Sequence, residues 1–322
     1  MTIVRQPTRA GVRDAAAKVA NILPQTPLFV QEIRGHPVCF KAECLQPIGA
    51  FKIRGAWHRL SALDDAVRER GVVAFSSGNH AQGVAWAAKK LGIPAVIVMP
   101  ADAPKVKRDA TLAMGAEVVS YDRMTESREK IAAHLAHARG ATLVPSFDDP
   151  WIIEGQGSAG IEAMTQIVET RLPDPANVIV PCGGGGLAAG LALALPEAEI
   201  TVVEPEGWDD MTRSLEAGWI EPVGDNPPPT ACDALQTTRV SPLTFDVLSR
   251  RGATGIAVGE AEIRTAQRWA AARLRVVVEP GGAVALAALL AGKVAVKPGL
   301  LVILSGGNAD PDAYAQVLAG KD

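Results

Sequence analysis

The chain has 322 residues, 48% hydrophobic and 21% charged, with 32 basic against 35 acidic side chains and a net charge of −3. That is the composition of a globular protein with chain enough for about two domains, and it excludes a disordered chain. With no basic block and only 4% aromatic residues, nothing points to a nucleic-acid partner or to an anionic membrane surface.

The opening segment is polar, with no apolar run of a secretory leader, and the longest apolar stretch, near Ala283–Ala291, is too short to span a bilayer. Four scattered cysteines (Cys39, Cys44, Cys182 and Cys232) form no C-x-x-C pair. They read as reduced thiols of a cytoplasmic protein. His134 and His137 share one face of a plain surface helix, and no metal is expected there.

Short β-rich runs alternate with Ala-rich helical runs. In chain order, 71–77 reads as a strand, 81–92 as a helix stopped by Gly92, 94–100 as a strand, 103–115 as a helix, 116–121 as a strand and 125–140 as a helix. After Pro150 the rhythm resumes: a helix over 153–171, a strand over 177–186 that runs into glycines, a helix over 187–195 and a strand over 199–206. Helices are expected over 260–274 and 281–292, and a strand over 300–307, with a surface loop at 223–230. Continuous apolar strands separated by helices predict an α/β fold of two open parallel-sheet lobes with helices on both faces. Ligands of such sheets bind at the carboxyl ends of the strands.

Three of those strand ends carry small polar turns: SSGNH (76–80), CGGGG (182–186) and SGGN (305–308). A fourth segment, GAFKIRGA (49–56), sets Lys52 beside Phe51. Glycines before a helix let free backbone N–H groups approach an anion, and phosphate is the natural ligand of CGGGG. Gly184, Gly186 and Ala189 also satisfy G-x-G-x-x-A, with Glu204 about 20 residues on, which is the fingerprint of a dinucleotide site and of an NAD-dependent oxidoreductase. That reading leaves the other three segments without a role. A lysine in an apolar pocket has a lowered pKa and becomes a usable amine nucleophile. SSGNH opens a helix, where backbone donors and the helix dipole suit a carboxylate.

In this order the four segments resemble those of the fold-type II pyridoxal-phosphate enzymes, the tryptophan-synthase-β-like fold, and within them the serine/threonine dehydratase and serine racemase group. The resemblance runs from about Thr26 to Asn308. It implies Lys52 as the Schiff-base lysine, Phe51 packing against the cofactor ring and Asn79 bonding the pyridoxal 3′ oxygen. Gly183, Gly184, Gly185 and Gly186 with Leu187 would cradle the phosphate, and Ser305 would face the pyridine nitrogen. Ser76, Ser77, Gly78, Asn79 and His80 would hold the substrate α-carboxylate, and Arg128 would close over the substrate.

The family usually has Ser or Thr where this chain has Ala50. Ser77 is the racemase-like choice, an acid/base group opposed to Lys52. EPEGWDD (204–210) resembles the family's divalent-cation site, with Glu204, Asp210 and the Trp208 carbonyl as oxygen ligands for Mg2+ or Ca2+. The resemblance further implies a large cofactor domain of residues 1–70 and 149–322, a small mobile substrate domain of 71–148, and a homodimer. The activity it implies is a dehydratase, an ammonia-lyase converting L-threonine or L-serine to a 2-oxo acid and ammonia. Serine racemisation and 3-hydroxyaspartate dehydration are the alternatives.

Overall fold

The computed structural model describes residues 5–76, 78–103 and 105–320. Its strands form two sheets. The larger contains β1 (Leu28–Ile33), β2 (His36–Lys41), β7 (Asn177–Pro181), β8 (Glu199–Pro205), β9 (Thr254–Val258) and β10 (Leu300–Ile303), in the order β1-β2-β10-β7-β8-β9. The smaller contains β3 (Val72–Phe75), β4 (Ala95–Pro100), β5 (Glu117–Tyr121) and β6 (Thr142–Leu143), in the order β5-β4-β3-β6. All pairings are parallel except β1 with β2.

The predicted strands are present; β3, β7, β8 and β10 stop short of their expected ends, and β4 and β5 start one residue later than expected. The β1–β2 hairpin, the two-residue β6 and β9 go beyond the expected elements. The hairpin closes on Arg34 (φ 51°) and Gly35 (φ 79°), two consecutive positive φ values that give a turn whose twist matches that of the strands. An antiparallel edge strand on a parallel sheet is a common addition.

The helices are α1 (Arg9–Ala20), α2 (Lys52–Ser61), α3 (Asp65–Arg70), α4 (Asn79–Leu91), α5 (Lys105–Ala113), α6 (Arg128–Arg139), α7 (Pro150–Glu169), α8 (Gly186–Ala194), α9 (Asp210–Ala217), α10 (Pro242–Arg250), α11 (Glu260–Trp269), α12 (Pro280–Leu290) and α13 (Pro311–Leu318). The expected single helix over 260–274 changes to π geometry at Ala270–Leu274. Helix α12 is apolar on every side and buried, as its sequence requires.

Helix α7 sets the spacing of the site. A Cβ on Gly155 would lie 2.5 Å from the Gly55 Cα, and one on Gly157 would lie 2.5 Å from the Gly190 carbonyl oxygen. Backbone therefore meets backbone on both sides of α7. The glycines bring α2, which begins with Lys52, and α8, which begins in the glycine run, against one rigid element.

Candidate active site

The carboxyl ends of the two sheets share one cavity of about 980 Å3. Phe51, Lys52, Ser76, Gly78, Asn79, His80, Arg128, the run Gly183–Leu187 and Ser305 all line it. The sequence segments are thus brought together from four places in the chain. Ser77 lies outside the described residues. Glu204, Trp208 and Asp210 lie away from this cavity.

Lys52 is placed by backbone pairing. The Phe51 N–H donates to the Ser305 carbonyl at 3.1 Å, the Gly307 N–H donates to the Gly49 carbonyl at 2.8 Å, and Ala50 bridges Gly306. The end of β10 therefore holds the start of α2. Two residues on, Arg54 is fully buried and grips Glu43 with two nitrogens, at 2.6 and 2.8 Å, and Glu162 at 2.9 Å. Lys41 joins the same Glu162 at 2.6 Å. Removing one member of such a buried network costs about 3–5 kcal/mol. Its role here is to fasten α2 to α7 behind the lysine, and the sequence reading missed it.

The Lys52 ammonium donates to the Ser146 carbonyl at 2.9 Å. The residue is only half-buried by accessible surface because the amine faces the cavity. Protein surrounds it nonetheless, and desolvation pulls its pKa down to about 8.

The glycine run is shaped for an anion. Gly185 is left-handed (φ 84°), and a Cβ on Gly184 would lie 2.3 Å from the Phe147 ring. The Thr244 hydroxyl donates to the Gly184 carbonyl at 2.8 Å. In a planar trans peptide this turns the Gly185 N–H the opposite way. Gly186 and Leu187 begin α8, where backbone N–H groups have no intrahelical acceptor.

Asn79 and His80 open α4 after Gly78, whose N–H donates to the Ser76 hydroxyl at 3.1 Å. The His80 ring Nε2 lies 2.9 Å from the Val144 carbonyl. Burial and the nearby Lys52 charge push its pKa down to about 3, so the ring is neutral. It donates to Val144, which leaves the His80 backbone N–H, at the positive end of α4, to meet an anion. Arg128, the first residue of α6, is half-exposed. Its guanidinium lies 5.6 Å from the Phe75 ring centroid, and it pairs with Glu129 at 2.8 Å.

Glu204 is fully buried and accepts from the Met211 and Thr212 N–H groups at 3.1 and 2.8 Å, and from the Thr212 hydroxyl at 2.6 Å. It caps α9, with its carboxylate spent on three donors there, and it does not line the cavity that the glycine run opens into, so it is not free to bind a ribose. The dinucleotide reading fails on that geometry. Asp210 is also buried; no side chain bonds its carboxylate, and the Val240 N–H and the Arg213 charge only partly favour its ionised form. Among the described residues no group of three His, Cys, Asp or Glu side chains is arranged to hold a metal ion. No helix among them is long and apolar enough to cross a membrane.

The cavity fits pyridoxal phosphate. A buried amine of lowered pKa suits the aldehyde, and a glycine run with no room for side chains suits the phosphate. Comparison with known proteins agrees. The family model described as pyridoxal-phosphate dependent enzyme matches residues 20–306. The L-threo-3-hydroxyaspartate ammonia-lyase of Saccharomyces cerevisiae is 39% identical, over 98% of each chain. A solved threonine deaminase from T.th. superposes with a TM-score of 0.87 at 40% identity, covering 94% of this chain and 99% of that one. Maize serine racemase superposes with a TM-score of 0.89 at 35% identity, covering 98% of both. A buried lysine, a glycine turn shaped for an anion and a neutral serine hydroxyl meeting at the strand ends are therefore no chance convergence, and the chain belongs to the fold-type II pyridoxal-phosphate dependent enzymes.

Proposed function

We propose that the chain is an ammonia-lyase of the carbon–oxygen lyase class, dehydrating a small β-hydroxy α-amino acid such as L-serine or L-threonine to a 2-oxo acid and ammonia. The observation that carries this is the Lys52 amine, desolvated and held between the glycine cradle and the N-terminus of α4. Bound pyridoxal phosphate supplies an aldehyde for the substrate amine and a ring that draws charge from Cα. Gly183–Leu187 hold its phosphate, and the Ser305 hydroxyl meets the ring nitrogen without bringing a negative charge. Ser76, Gly78, Asn79 and His80 receive the α-carboxylate. Lys52 takes the proton from Cα and hands it to the β-hydroxyl, which leaves as water. Water then returns to the unsaturated product, which gives the 2-oxo acid and releases ammonia.

Residues 71–148 act as the mobile substrate domain on the larger remainder, and Glu204, Asp210 and the Trp208 carbonyl hold Mg2+ or Ca2+. A homodimer in the cytoplasm completes the reading. Exposed Leu45 and Val277 flank segments that both meet Gly307 and offer an apolar face for a second copy, and the four free cysteines are buried.

A substrate panel tests the reaction: 2-oxo acid release from L- and D-serine, L-threonine and the 3-hydroxyaspartate isomers. Release from at least one L-β-hydroxy amino acid is expected, and none from any would sink the assignment. In Ser77→Ala, dehydration should persist. Any serine racemisation should collapse in that variant, because it needs an acid/base group opposed to Lys52, so the two activities separate there.

Arg128 favours a second reading, because a guanidinium at the start of α6 can receive a β-carboxylate. Arg128→Ala is expected to lower kcat/KM for 3-hydroxyaspartate by roughly 10–100-fold, the scale of one lost charged hydrogen bond. Serine turnover should change by less than about threefold. An equal loss with both substrates would show that Arg128 reads the α-carboxylate instead.

A further inference from the structure

Glu279 lines the same cavity, yet the chemistry above does not use it. It is the N-cap of α12 and is buried, and its N–H donates to the Gly306 carbonyl at 3.0 Å. A Cβ on Gly306 would lie 1.9 Å from the Glu279 Oε1, so only glycine there admits the carboxyl group. That Oε1 accepts from the Asn79 Nδ2 at 2.6 Å. On the other side, the Asn308 Nδ2 donates to the Asn79 Oδ1 at 2.8 Å and to the Ile48 carbonyl at 2.9 Å.

Both edges of the Asn79 amide are thereby assigned. A flipped amide would set NH2 against the NH2 of Asn308 and oxygen against the carboxylate of Glu279. Asn308 cannot turn to relieve this, because its own NH2 is anchored on Ile48. One Nδ2 hydrogen of Asn79 remains uncommitted, so the residue can offer the cavity a donor.

We propose that Glu279 is a positioning residue: together with Asn308 it locks the Asn79 amide so that Asn79 donates to an acceptor oxygen of the bound cofactor. The inference rests on the cofactor reading above. It assigns work to Glu279, which lies outside the four sequence segments, and to Asn308, the last residue of SGGN, to which the sequence reading gave no role.

The surroundings make the lock sensitive to pH. Burial raises the Glu279 pKa to about 7; the bond from Asn79 opposes the rise, and the Asp233 carboxylate adds to it. Lys107 offsets Asp233, with which it forms a 2.8 Å ion pair. Cys44 and Cys232 also face the group, and burial pushes the pKa of both thiols far up, so they remain neutral. Through pH 7, ionisation of Glu279 strengthens its hold on the Asn79 NH2.

The test titrates pyridoxal phosphate into the apoproteins and follows the visible absorbance of the bound cofactor against pH. Glu279→Ala is expected to weaken cofactor binding about tenfold. Asn308→Ala should give a similar loss, and the double variant should fall well short of the product of the two, because both act through one amide. Glu279→Gln keeps the acceptor but cannot ionise. It should restore binding to within about threefold and erase the absorbance inflection near pH 7. Unchanged binding in Glu279→Ala, independent losses in the double variant, or an inflection that survives in Glu279→Gln would each overturn the proposal. If alanine at 279 prevents folding, the pH profile of Glu279→Gln decides alone. A wild-type apoprotein that takes up no cofactor would overturn the cofactor reading as well, so the two failures are distinguishable.

Discussion

Lys52→Ala is expected to lower kcat by about 10,000-fold or more, since one substitution removes both the amine that joins the aldehyde and the base that takes the Cα proton. The protein should still fold. The Lys52 ammonium makes a single hydrogen bond, to the Ser146 carbonyl, whereas α2 is held by Arg54, Glu43 and Glu162 and by the backbone pairing of Phe51 with Ser305. Lys52→Arg keeps a cation and a donor but cannot supply a neutral amine, so it should not rescue.

The pH dependence separates chemistry from fold. With a pKa of about 8 set by desolvation, the amine of the apoprotein is protonated, and not nucleophilic, at low pH. The rate at which added pyridoxal phosphate condenses with the wild-type apoprotein should therefore rise with pH through about 8 and then level off. A stopped-flow record of the visible band gives that profile. A rate that climbs on toward pH 10 would mean that the amine is solvated like an ordinary lysine, and residual turnover in Lys52→Ala above about 1% of wild type would remove Lys52 from the mechanism.

The parts of this site that the sequence makes legible are local ones. Asn177–Gly186 shows a strand, its end and the anion cradle within ten residues, because a β-to-α turn of the kind proposed to bind phosphate is a continuous piece of chain. The SSGNH and SGGN turns show for the same reason. Lys52 is different. A lysine at a helix start looks the same on a surface as in a cavity, and only the resemblance of its whole segment singles it out. Tertiary packing decides the rest.

Glu279 stands between Val278 and Pro280, where an acid before a helix reads as an ordinary N-terminal cap. Its apolar flank, Val276–Val278, is the one local hint of its burial. The Lys41–Glu43–Arg54–Glu162 network joins residues up to 121 positions apart, beyond the reach of any periodicity. The motif around His80 assigns it to the substrate carboxylate, but its ring is committed to Val144, a strand-end residue 64 positions away. The β1–β2 hairpin is hidden by Pro37 inside a strand and by an Arg-Gly turn.

The second large effect concerns Glu204 and Asp210, and it is read from stability. Burial raises the Glu204 pKa to about 8, a rise that its three hydrogen bonds oppose and the Asp210 charge increases. Burial likewise raises that of Asp210 to about 7. Both values start near 4 in the unfolded chain. Between about pH 4 and pH 8 the folded protein therefore binds more protons than the unfolded one, and its stability falls as pH rises through that window. In EDTA, the melting temperature of the apoprotein should drop by several degrees between pH 5 and pH 8.

If Glu204 and Asp210 hold a divalent cation, as proposed, the ion would replace those protons. On the proposed cation reading, the ion would add to the partial compensation that the Val240 N–H and Arg213 give the Asp210 carboxylate. Saturating Mg2+ or Ca2+ should recover about 5 °C at pH 8 and almost nothing at pH 5, where the carboxyls hold their protons. Glu279 titrates in the same window and adds to the decline in EDTA, but it lies outside the pair. The cation-dependent difference therefore isolates Glu204 and Asp210. Asp210→Asn should flatten part of the decline and abolish the response to the cation. A melting temperature indifferent to Mg2+ and Ca2+ at pH 8, or a response retained in Asp210→Asn, would show that these acids cap α9 and do nothing more.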